Sequence, residues 1–96
     1  MELLPEEVQA KLPPLYSQEK QGWDAVAQVK CFTPDSNWTW WAIEYDPANK
    51  VFFGLVEGFE RELGYFSLEE LERVRGPEGL PIERDLHWRP KALKEI

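Results

Sequence analysis

Asn37-Trp38-Thr39-Trp40-Trp41-Ala42-Ile43-Glu44-Tyr45 places three of the chain's five tryptophans within four residues, and one short turn later comes Val51-Phe52-Phe53-Gly54-Leu55-Val56. Aromatic and branched residues at this density favour pleated, half-buried strands. The intervening Asp46-Pro47-Ala48-Asn49 has the residues of a tight turn. The two stretches therefore read as a hairpin, Trp38 to Tyr45 and Val51 to about Glu57. An indole is large and apolar yet carries an N–H that wants a partner, so such a block dominates either a core or a binding surface.

Upstream, Ala25 to Thr33 alternates with Ala27, Val29 and Cys31 on one face and Gln28, Lys30 and Phe32 on the other, the period of a strand. Pro34-Asp35-Ser36-Asn37 joins it to the next strand as a turn. Further upstream, Pro5 followed by Glu6-Glu7 suits the first turn of a short helix. Leu4, Val8 and Leu12 form its apolar stripe, and Pro13-Pro14 ends it. Leu15 to Asp24 reads as a polar connection that Trp23 anchors to the core.

Downstream, Gly58 breaks the pattern, and Glu60 to Phe66 reads as a shorter strand with Leu63 and Tyr65 on a common side. Ser67-Leu68-Glu69-Glu70 matches a capping box, which predicts a helix from Leu68 to Arg75 stopped by Gly76-Pro77-Glu78-Gly79. Ile82 to Trp88 reads as extended, and Lys91 to Ile96 as one turn of helix. Together these elements predict one α+β domain over residues 1–96. Its centre is an antiparallel meander of three to four strands, flanked by short helices.

With 43% hydrophobic residues, the chain has enough apolar surface to fold around a single core. Cys31 has no partner for an internal disulfide, which points to an intracellular, cytoplasmic protein. The acidic start resembles no secretory signal, and the apolar runs fall far short of the roughly 20 residues that cross a bilayer, so no membrane contact is expected. A formal charge of -7 opposes nonspecific binding to phosphate backbones. Locally, Arg84, Arg89, Lys91 and Lys94 against Asp85 make the C-terminal segment basic.

On strict alternation, Thr39, Trp41, Ile43 and Tyr45 share one face of the strand and Trp38, Trp40, Ala42 and Glu44 the other. Trp41, Ile43 and Tyr45 are expected to pack inward, with Phe53 and Leu55 beside them. Trp38 and Trp40 either join Lys30 and Phe32 as a stacking platform or lie beneath the N-terminal segment or the Ser67 helix. The platform reading describes a noncatalytic binding module. It contacts an unknown protein or nucleic-acid partner through Asp35, Asn37, Trp38 and Trp40, with Arg84 and His87 nearby.

Two other classes compete with it. Glu83, Asp85 and His87 alternate along an extended stretch and suggest a small metal-dependent nuclease or hydrolase; their plainer reading is ion pairing and a surface histidine. Glu57, Glu60, Glu62, Glu69, Glu70 and Glu72 suggest an acidic DNA mimic, although charge runs usually face water. Cys31 reads as an inert buried thiol. Phosphate-binding glycine loops, a Ser-His-Asp order and zinc spacings are absent from the sequence, and no cofactor is expected.

Three stretches carry a resemblance: Phe52-Phe53-Gly54-Leu55-Val56-Glu57-Gly58-Phe59-Glu60, then Glu62-Leu63-Gly64-Tyr65-Phe66-Ser67-Leu68-Glu69-Glu70-Leu71, and Gly79-Leu80-Pro81-Ile82-Glu83-Arg84-Asp85. With Leu3-Leu4-Pro5 and Thr33 to Trp40, the chain resembles a family of short bacterial domains of unknown function carried on plasmids, conjugative elements and phages. The resemblance implies an accessory protein of mobile DNA and transfers no catalytic residue.

Overall fold

The computed structural model describes residues 1–96. In chain order it contains α1 (Glu6–Gln9), a 3-10 helix (Glu19–Asp24), β1 (Val26–Ala27), β2 (Val29–Phe32), β3 (Thr39–Asp46), β4 (Val51–Glu57) and β5 (Arg61–Ser67). These are followed by α2 (Leu68–Arg73), β6 (Glu83–Arg84), β7 (Lys91–Ala92) and a 3-10 turn (Leu93–Glu95). The α+β meander is present, but its sheet has five strands, in the order β5-β4-β3-β2-β6, rather than three to four. The added strand is β6, which pairs antiparallel to β2 through Cys31 with Arg84 and Phe32 with Glu83. Two residues are too few to show an alternation, so the extended Ile82 to Trp88 stretch concealed this pairing.

The proposed single strand from Ala25 to Thr33 is divided. Gln28 separates β1 from β2 and donates its N–H to the Ala42 carbonyl at 2.9 Å. β1 leaves the main sheet and pairs antiparallel with β7 as a two-stranded ribbon. Ala27 consequently lies in a different core from Val29 and Cys31, and the regular alternation expected there is lost. The C-terminal tail begins with β7 before its single 3-10 turn.

Both faces of the sheet are covered. The first core joins Leu3, Leu4, Cys31, Trp40, Tyr45, Phe52 and Leu71, with Val8, Leu12 and Leu68 packed against it. The N-terminal segment and α2 are thus its lid. The second joins Ala25, Ala27, Trp41, Ile43, Leu55 and Leu93, with Phe53, Trp88 and Ile96 against it. The Ser67 hydroxyl caps α2 by accepting from the Glu70 N–H at 3.3 Å.

A β-bulge in β3 sets which residue faces which core. Ala42 pairs with Gly54 and Glu44 with Phe53, so Ile43 is the extra residue. Beyond it the alternation changes phase: Tyr45 joins Trp40 and Ala42 on the first core, while Ile43 lies with Trp41 in the second. Tyr45 therefore packs opposite to Trp41 and Ile43, contrary to the strict alternation.

Candidate binding site

The turn that joins β2 to β3 is held by Thr33, whose hydroxyl accepts from the Trp38 N–H at 3.0 Å. At its tip Asp35 is already engaged, since its Oδ2 accepts the Glu78 N–H at 2.8 Å and fastens the 76–80 turn. Asn37 is exposed and Trp38 half-buried. Trp40, left open by the sequence, is 9% exposed and belongs to the first core. The expected platform thus contracts to Trp38, which stacks on Trp40 at 5.9 Å and meets the exposed Phe59 edge-on at 5.5 Å.

Arg84 and His87 lie elsewhere, on an open groove of about 400 Å³ that also receives Met1, Lys30 and Phe32 but neither tryptophan. Asp85 bonds locally: its N–H donates to the Lys30 carbonyl at 2.8 Å, its carboxylate lies 3.7 Å from Lys30 Nζ, and its Oδ1 accepts the His87 N–H at 2.9 Å. Glu83, Asp85 and His87 do not gather into a group able to hold a metal ion. Cys31 is buried, and desolvation pushes its thiol up to about 12 against a small opposing pull from Arg84, leaving it protonated and unreactive.

A more enclosed cavity of about 160 Å³ opens on the other face of the sheet, where no sequence motif pointed. Its wall is made by Tyr16, Phe53, Leu63 and Tyr65, and its floor by Ala25, Ile43 and Leu93. The bulge builds this site, because the phase change places Ile43 and Glu44 side by side on the cavity. Phe53 and Tyr65 are cross-strand partners with ring centroids 5.0 Å apart, and Phe53 is half-buried rather than fully in the core.

Glu44 is 3% exposed, an unusual burial for a carboxylate. Its Oε1 accepts the Tyr16 N–H at 3.0 Å and its Oε2 the Gln18 N–H at 2.7 Å. With the Tyr45 N–H donating to the Pro13 carbonyl at 2.9 Å, these bonds fasten the segment after Pro13-Pro14 across β3. Tyr16 there has φ 70°, a left-handed conformation that costs a non-glycine residue roughly 1–2 kcal/mol. The Glu44 clamp holds that strain and sets an exposed phenol at the cavity mouth. Partial desolvation, then Tyr16 and the Glu44 charge, raise the Tyr65 hydroxyl above its ordinary pKa, which places the three groups in one electrostatic environment.

Trp23 does not anchor this segment: it is 53% exposed, and the connection is held instead by Glu44 and by the ion pair of Asp24 with Lys94. The one sequence signal for the site was Glu44 itself, a charge between Ile43 and Tyr45 in an otherwise apolar run. A charge buried in such a run requires partners, and here the segment that carries Tyr16 and Gln18 supplies them. Tyr16 carried no comparable signal.

The chain belongs to the family described as "Protein of unknown function (DUF2958)", whose model matches residues 3–94. No curated protein and no solved structure matches it.

Proposed function

We propose that this chain is a noncatalytic binding module that takes one side-chain-sized group of a partner into the cavity between Tyr16, Phe53, Leu63 and Tyr65. The observation that carries this reading is the strained Tyr16, held in place by a buried carboxylate at the mouth of a ready-made apolar cavity. A volume of about 160 Å³ suits a single ring or side-chain head, since a cavity of about 150 Å³ lodges benzene. Support for recognition rather than catalysis comes from the lining, mainly rings and aliphatic chains around a carboxylate already held by two N–H donors.

The half-buried Trp38 and the exposed Phe59 retain a reduced form of the sequence-derived aromatic surface and supply a second contact for a protein partner. The other two classes find less support. Asp85 is engaged with Lys30, and Arg61 pairs with Glu57 inside the acidic run. We place the module in the cytoplasm as an accessory protein of mobile DNA, on the strength of the resemblance and of the unpaired Cys31.

Titration with phenol and indole, followed by two-dimensional NMR, tests the cavity. The expected result is shifts confined to Tyr16, Gln18, Ile43, Phe53 and Tyr65 that vanish in Leu63→Trp, whose larger side chain fills the space. Shifts that gather only at Trp38 and Phe59, or none at all, refute the assignment.

A further inference from the structure

Resting on the cavity reading above, we infer that the occupant is the cationic head of an arginine or lysine on an extended segment of a partner protein, with Glu44 as its counter-charge. The cavity's charged lining residues are Glu19 and Glu44, and no lysine, arginine or histidine lines it. The molecule's three ion pairs, Lys30 with Asp85, Arg61 with Glu57 and Lys94 with Asp24, all leave Glu44 out.

A carboxylate offers about four acceptor positions, of which the Tyr16 and Gln18 N–H groups fill two. The remaining positions and the full negative charge are answered best by a charged N–H donor. Tyr16, Phe53 and Tyr65 line the same cavity, and aromatic rings attract ammonium and guanidinium groups once these are desolvated. A nucleotide fits less well. Its phosphates need cations beside the site, whereas this lining is acidic and the chain carries -7.

The neighbouring strand indicates how the basic side chain arrives. β5 is an edge of the sheet, paired only with β4, and its exposed Leu63 and Tyr65 form one wall of the cavity. An extended segment laid along the free side of β5 carries alternate side chains to that wall. A free small amine gains nothing from this edge.

The test compares Ac-Gly-Gly-Arg-Gly-Gly-amide with the same peptide carrying citrulline, its neutral isostere, and with n-propylguanidine. Binding to the full chain is followed by NMR, and phenol serves as the cavity control. The expected result is at least tenfold tighter binding of the arginine peptide than of the citrulline peptide. Its binding should move the Arg61 to Ser67 amides, which propylguanidine leaves in place.

Glu44→Gln, which keeps the shape and one carbonyl acceptor, is expected to bring arginine down to the citrulline level. A merely structural role for Glu44 weakens both peptides alike and overturns the inference. Tyr65→Leu, at an exposed ring, is expected to weaken the arginine peptide alone. Equal binding of the two peptides to the unaltered protein overturns the cationic occupant while leaving the cavity reading intact, as does phenol binding without either peptide. Tighter binding of propylguanidine than of the arginine peptide overturns the protein segment. If phenol fails as well, the cavity reading falls with it.

Discussion

Gly54 and Gly64 face each other across β4 and β5, and the same substitution at the two is expected to act with opposite sign. A Cβ added at Gly54 overlaps the Trp41 carbonyl oxygen and lies 2.9 Å from the Trp41 carbonyl carbon and 3.0 Å from Ala42 Cα. All three obstacles are backbone, fixed by the bulge, so β3 and β4 must separate to admit the methyl. Overpacking costs about 1–3 kcal/mol, and an obstruction by backbone belongs at the upper end. At about 4–8 °C per kcal/mol for a domain of this size, Gly54→Ala lowers Tm by roughly 12–24 °C.

At Gly64 nothing lies within 4 Å of the added Cβ, and the backbone has no positive φ there. Gly64→Ala therefore acts mainly by restricting the unfolded chain, which stabilises by about 0.4–1 kcal/mol. Thermal melts by circular dichroism, with urea denaturation as a second measure, distinguish the pair. A Gly54→Ala variant within 1 kcal/mol of the parent, or shifts of the same sign at both sites, refutes the bulge geometry.

Glu44→Ala leaves the Tyr16 and Gln18 N–H groups without their acceptor at about 1–3 kcal/mol each. Hydrogen exchange should quicken at those two amides while β3 and β4 stay protected. Trp40→Ala removes a core side chain and should cost about 3–5 kcal/mol by urea denaturation, with Trp38→Ala, half-buried, costing clearly less; equal losses contradict the placement of Trp40 in the core. The pH dependence follows from Cys31, whose buried thiol is pushed from 9.0 to about 12. Below pH 9 folded and unfolded chains both keep the proton. Between 9 and 12 mainly the unfolded chain releases it, so stability falls with rising pH by up to about 1.4 kcal/mol per unit, a contribution that Cys31→Ala should abolish in urea midpoints.

The strands with polar punctuation were readable from the chain. Pro34 to Asn37, Asp46 to Asn49 and Gly58 mark turns where the structure makes them, and Ser67 caps α2 through local backbone chemistry alone. The bulge was not readable, because Trp40, Trp41, Ala42 and Ile43 are apolar on both sides and offer no contrast that reveals a change of phase. β6 escaped for the related reason that its pairing with β2 depends on residues some fifty positions away. The candidate cavity is assembled from the connection after Pro14, from β3, β4, β5 and from Leu93. None of those segments predicts the others, and only the buried charge of Glu44 hinted that two of them meet.

Ile43 also determines where this strand tolerates a change in length. Removing a residue before Ile43 sends side chains to the wrong face, whereas removing either of the two adjacent residues that share a face, Ile43 or Glu44, restores plain alternation; with Ile43 gone, Glu44 lies beside Trp41 and Tyr45 beside Ala42. Such a shortened chain keeps its two-sided pattern and loses a side chain that is 2% exposed. Positions 43 and 44 are thus the place at which this strand can lose a residue and still send Tyr45 to the first core and Trp41 to the second.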